Sequence, residues 1–85
     1  MNPHHTVQSL TFDLNNMILT VDGLTYSIPI NQASEKLTQA TEVERRLYKV
    51  SPSGYGIHWL ALDEDLSIDG LIRLANRLQM QELSS

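Results

Sequence analysis

Between Leu10 and Ile28 apolar residues recur at nearly every second position, interrupted by two short polar pairs, Asn15-Asn16 and Asp22-Gly23. A period of two is the side-chain repeat of a strand, so the pattern predicts strands over about 6–14, 17–21 and 24–28. Asp-Gly is a preferred two-residue hairpin turn because its central positions take positive φ. With that turn, Val21 faces Leu24, Leu19 faces Tyr26 and Met17 faces Ile28. If Asn15-Asn16 is the other turn, Leu14 faces Met17, Phe12 faces Leu19 and Leu10 faces Val21. Both registers put Leu10, Phe12, Leu14, Met17, Leu19, Val21, Leu24, Tyr26 and Ile28 on one side. Thr11, Asp13, Thr20, Thr25 and Ser27 fall on the other, with Ile18 the exception. The expectation is an antiparallel meander, oily on one face and wet on the other.

Pro29 cannot donate to a ladder and should end the third strand. Asn31 can cap a helix over about 32–40 whose stripe is Ala33, Leu37 and Ala40. From Glu42 the pattern is ambiguous; Tyr48 and Val50 share a face and predict a fourth strand over about 46–50. Pro52 to Gly56 supply a turn, and alternation resumes as a fifth strand over about 56–61. The last helix, about 68–81, has Ser67 as N-cap and Leu66 and Leu71 spaced as a hydrophobic staple. Asp69 sits in its first turn, four residues before Arg73. Ile68, Leu71, Ile72, Leu74, Ala75 and Leu78 span about 160° of this helix, wider than one sheet face requires. Leu74 and Leu78 are therefore expected at the edge of the core, where they can join an interface, a homodimer included. The fold class that follows is α+β: a small antiparallel sheet, made of a three-stranded N-terminal meander and one or two further strands, packed on one face by a short helix and a C-terminal helix.

Composition narrows what such a domain can do. Eighty-five residues make a single domain, because a second core could not bury enough surface to offset its own ordering entropy. The net charge is −4 and the six Lys and Arg form no long run, so direct nucleic-acid binding is not expected. The chain has no Cys, which removes disulfide and thiolate chemistry and fits a reducing cytoplasm. No stretch reads as a membrane span or an export signal, and residues 1–5 are expected to fray.

Candidate chemistry concentrates late in the chain. Asp63, Asp65, Ser67 and Asp69 alternate oxygen-bearing side chains, but a calcium loop needs Gly at its sixth position and Glu at its twelfth, where this chain has Ile68 and Leu74. His58 could be oriented by a nearby carboxylate, yet no nucleophile elbow, phosphate loop or His-x-x-x-His spacing accompanies it. His4-His5 is too short for a metal site. Arg45, Arg46 and Lys49 lie among Glu42 and Glu44, which cancel much of their field. Trp59 and Tyr55 are aromatic anchors of the kind that dominate interfaces, although a small domain's only Trp usually belongs to its core. The reading assigns no catalytic, cofactor-binding or metal residue. It offers Trp59, Asp63, Glu64, Asp65, Asp69, Leu74 and Leu78 as protein-contact candidates.

The segment from Ser51 to Leu71, with Ile57-His58-Trp59 leading to Asp65-Leu66-Ser67 and a helix, resembles the C-terminal signature of the bacterial domain-of-unknown-function family 2442. The Asp22-Gly23 hairpin and the polar helix are similar too. The resemblance implies a compact α+β fold, no catalytic residue, and an association with small neighbouring proteins as toxin–antitoxin pairs. The implied role is a non-enzymatic, antitoxin-type domain whose small protein partner is a cognate toxin; the acidic 63–69 segment adds the expectation that this partner is basic. The alternative is a nucleic-acid-associated regulator that acts only within a complex, through Arg45, Arg46, Lys49, Arg73 and Arg77. Some relatives look like this domain fused to a helix-turn-helix; the sequence stops at Ser85, so direct DNA reading is not expected.

Overall fold

A computed structural model describes residues 5–84, with side chains described through Met80. The first sheet is the meander: β1 (Val7–Asp13), β2 (Asn16–Val21) and β3 (Leu24–Pro29), in the order β1-β2-β3. At Asp22-Gly23 the register is the expected one, with Val21 opposite Leu24, Leu19 opposite Tyr26 and Met17 opposite Ile28. Asp22 and Gly23 take φ of 52° and 84°, as the turn requires.

The first turn lies one residue earlier than expected, at Leu14-Asn15, so Leu10 pairs with Leu19 and Phe12 with Met17. Asn16 is drawn into the ladder between Asp13 and Pro29, while the Asn15 carbonyl accepts from the Ile30 N–H at 2.9 Å. Leu14 consequently leaves the oily face and is 87% exposed. The displacement changes pairing by two residues, which leaves every other side chain on its expected side. On the wet face the hydroxyls of Thr20 and Thr25 meet at 3.0 Å. Leu24, at the end of the oily face, is also exposed.

The predicted 32–40 helix is two short ones, α1 (Ile30–Ala33) and α2 (Glu35–Gln39). Ser34 is extended between them and caps α2 by accepting from the Leu37 N–H at 3.1 Å; Asn31 lies inside α1 and caps nothing. Residues 42–46 are helical as well (α3, Glu42–Arg46), because Thr41 and Glu44 form a reciprocal capping box. The fourth strand is therefore only β4 (Tyr48–Val50).

The fifth strand, β5 (Gly56–Trp59), stops before 61 because Leu60 to Asp63 turn the chain back into a strand the sequence reading missed, β6 (Glu64–Ser67). These three strands form a second antiparallel sheet, β4-β5-β6, rather than an extension of the first. Helix α4 (Ile68–Ser84) follows directly, and Ser67 caps it by accepting from the Gly70 N–H at 2.9 Å. It packs on β3 and β6, one strand from each sheet.

One core serves both sheets. Leu10, Met17, Leu19, Val21 and Ile28 from the meander join Ile30 and Leu37, then Ile57 and Trp59, then Ile68 and Leu71 of α4. Burial of these side chains is the main stabilising term, at about 1.5–3 kcal/mol for each large one.

Candidate partner-binding surface

The second sheet positions most of the contact candidates. Trp59 is fully buried, its ring 6.2 Å from that of Tyr48 and its indole N–H donating to the Arg45 carbonyl at 3.0 Å. It cannot meet a partner; its place is in the core, where that single polar handle ties α3 to β5. Leu74 packs against the core's edge and Leu78 is half-buried on the same side of α4, as the wide apolar arc predicts.

The four acids of 63–69 divide into two kinds. Glu64 is half-buried: one oxygen accepts from the Ser34 hydroxyl at 2.7 Å, the other from the Asp65 N–H at 3.1 Å. Asp69 accepts from His5 Nε2 at 2.6 Å rather than pairing with Arg73. Both are structural ties. Asp63, at φ 50° in the tight turn, is exposed, and its carbonyl accepts from Lys36 Nζ at 3.2 Å. Asp65 accepts from His58 Nδ1 at 2.8 Å but keeps 76% of its side chain in solvent. Asp63 and Asp65 are the two carboxylates this surface offers.

On the outer face of the second sheet, Lys49, His58 and Asp65 stand opposite one another across three strands. An open groove of about 750 Å³ runs over them, with Tyr55 and Pro52 as its apolar wall. A carboxylate on Nδ1 leaves Nε2 as an acceptor, which is how a general base is oriented. The hydroxyl oxygens nearby accept from the backbone: Ser67 in the α4 cap, and Ser51 from the N–H groups of Tyr55 and Gly56 at 2.9 and 3.1 Å. Among the described residues no group of three His, Asp or Glu converges as a metal site would require; the carboxylates of Glu64, Asp65 and Asp69 each take a different partner, and that of Asp63 has none among the described residues.

Two features were not anticipated. The first is apolar: Leu60 and Leu47 are 64% and 48% exposed and held side by side by the Leu60 N–H on the Leu47 carbonyl at 3.1 Å, with exposed Val43 one turn back along α3. The Thr41–Glu44 capping spacing was the available sign that Val43 and Leu47 would share a helical face. The second is His5, which was expected to fray. Its ring bridges Asp22 (2.8 Å) and Asp69 (2.6 Å), which raises its pKa above the ordinary value and lowers that of Asp22 through their hydrogen bond. Residues 1–4 of the expected frayed segment lie outside the described residues.

Of the cations proposed for nucleic acid, Arg45 is committed to structure. Its guanidinium donates to the carbonyls of Leu37 (2.9 Å) and Thr38 (3.2 Å) and lies 5.9 Å from the Phe12 ring centroid. Arg46, Lys49, Arg73 and Arg77 sit on three separate elements, α3, β4 and α4.

The class defined here is a small α+β domain of two antiparallel three-stranded sheets sharing a core and closed by one long helix. Residues 7–77 match the family described as Protein of unknown function (DUF2442), and the chain belongs to it. No curated protein and no solved structure matches it. No helix among the described residues is long and apolar enough to cross a membrane.

Proposed function

We propose that this chain is a non-enzymatic protein-interaction domain that binds a small basic protein, in the antitoxin-type role that the family resemblance implies. The observation that carries the reading is the adjacency of exposed Leu47 and Leu60 to the solvent-facing carboxylates of Asp63 and Asp65 at one end of the second sheet. Exposed large apolar side chains beside free carboxylates favour a partner with an apolar centre and a basic group at its rim, even with Lys49 and Lys36 nearby. Leu74 and Leu78 on α4 extend the apolar surface that such a partner, or a second copy, could cover.

The test is co-purification from the native host followed by surface mapping. A basic protein should be recovered whose binding shields Leu47, Leu60, Asp63 and Asp65 from solvent, and Leu60→Ser should release it. Recovery of a partner that leaves these four exposed would refute the reading.

A further inference from the structure

Strand β1 is an edge strand whose free side has a definite polarity. The two-residue loop Leu14-Asn15 makes Asp13 and Asn16 a hydrogen-bonded pair, and alternation makes Thr11 with Ile18 and Ser9 with Thr20 the next two. The N–H and C=O of Leu10 and Phe12 therefore point away from β2. Tyr48 agrees with this assignment, since its hydroxyl donates to the Leu10 carbonyl at 3.3 Å. The Phe12 N–H and C=O meet no protein partner among the described residues.

The second sheet turns its own edge strand, β4, toward this side. The His5 N–H donates to the Ser53 carbonyl at 3.3 Å, and Tyr48 reaches Leu10; rising numbers on one chain match falling numbers on the other, the antiparallel sense. The ladder is nevertheless not made, and the sheets stay separate. Toward Leu14 the elements part, because the chain before β4 is coiled into α3. The gap is a cleft of about 620 Å³ lined by Phe12, Leu14, Glu42, Arg45, Arg46 and Tyr48, among others. Arg45 is fixed in its wall, whereas Arg46 is exposed and makes no ion pair among the described residues. Two guanidiniums against one carboxylate make the cleft positive on a chain of net charge −4.

We propose that this cleft receives an extended peptide segment of a partner protein, which adds to β1 as a further strand and places an acidic side chain on Arg46. The unpaired Phe12 groups offer a donor and an acceptor at strand spacing, which a peptide backbone complements, and Arg46 supplies selection for charge. The surface uses other residues than the Leu47–Asp65 end, so the inference goes beyond that reading and stands or falls separately.

The experiment is amide hydrogen exchange by NMR on the full chain with capped seven-residue peptides of alternating threonine and valine, centred on glutamate, lysine or proline. In the free chain the Phe12 amide should exchange roughly tenfold or more faster than that of Thr11, which is in the ladder. The glutamate-centred peptide should protect Phe12, the lysine-centred one should bind roughly tenfold more weakly, and the proline-centred one should not protect. Arg46→Glu, at an exposed position, should invert the preference between glutamate and lysine. The proposal is overturned by absence of binding at millimolar glutamate peptide, by binding that leaves Phe12 unprotected or ignores charge, or by Phe12 protection without peptide in a chain that dimerises.

Discussion

His5 Nε2 lies 2.6 Å from Asp69 Oδ1, joining residues 64 positions apart, while Nδ1 of the same ring lies 2.8 Å from Asp22 Oδ2. Ionised carboxylates only accept, so satisfying both requires a proton on each ring nitrogen: the latch is an imidazolium held between two carboxylates. It ties the β2–β3 turn to the first turn of α4, where Asp69 also faces the helix dipole.

A pH dependence follows. His5 has its pKa raised above 6.5 in the folded chain, by its hydrogen bonds to Asp22 and then Asp69, so its contribution is complete below 6.5 and is lost as pH rises through the raised value. Asp22 has its pKa lowered from 3.8, chiefly by His5, so its contribution is complete above 3.8 and is lost as pH falls through the lowered value. The difference in melting temperature between the parent and His5→Gln should therefore be largest between pH 3.8 and 6.5 and shrink on both sides. A difference that grows steadily toward alkaline pH would show that the latch does not act as an ion pair.

The same segment depends on Gly54. This residue has φ 69°, and a Cβ there would lie 1.8 Å from the His5 carbonyl oxygen, a backbone atom that cannot rotate away. Gly54→Ala should cost the strain of a left-handed alanine, about 1–2 kcal/mol, and displace His5 as well. Gly23 has φ 84° but open space around its missing Cβ, so Gly23→Ala should cost only the backbone term. Urea denaturation checks the ranking, and the Gly54 variant should also lose the pH dependence of the latch.

Ser34 is the only buried polar residue among those described, and its hydroxyl works twice: it accepts from the Leu37 N–H and donates to Glu64 at 2.7 Å. Ser34→Ala should cost about 1–2 kcal/mol, more than an exposed cap, because α2 loses its cap and a half-buried carboxylate loses its donor. Glu64→Ala in the Ser34→Ala background should cost less than Glu64→Ala alone, and equilibrium denaturation of the double-mutant cycle measures the difference. Additive losses would mean that the hydroxyl and the carboxylate act independently.

How much of this was legible depended on which rule the residues obeyed. The oily face survived a misplaced turn because a slip of two preserves side-chain parity, whereas a slip of one would have inverted it. Only the two residues that exchange places change environment: Leu14 enters the turn and becomes exposed, and Asn16 leaves it for the ladder. Strand β6 was missed because Glu64-Asp65-Leu66-Ser67 has poor strand propensity; what makes it a strand is tertiary, with Glu64 and Leu66 turned inward opposite Trp59 and Ile57. Helix α3 carried its signal openly in Thr41-x-x-Glu44.

The candidate surface was less legible than the fold. Acidity at 63–69 is visible in composition, but which carboxylates stay free depends on Ser34, His58 and His5, which lie distant in sequence or across a strand pair. Trp59 shows the converse: an aromatic can serve a core or an interface, and its position inside the second sheet decides for the core that a small domain's only Trp usually joins. The exposed pair Leu47 and Leu60 could not be found without knowing that β4 and β5 are neighbours.

Association kinetics separate the two free acids from the two committed ones. Asp63→Lys with Asp65→Lys reverses charge where the side chains face solvent, so on the proposed reading binding to a basic partner should slow, by about tenfold or more at low salt and less as screening increases. On the same reading the dissociation rate should change little, because apolar contacts around Leu47 and Leu60 would carry most of the affinity. Leu60→Ser should do the opposite, raising the dissociation rate while leaving the salt dependence of association intact. Stopped-flow mixing at two ionic strengths distinguishes the patterns, and charge reversal without any effect on the association rate would rule out the acidic border as a steering surface.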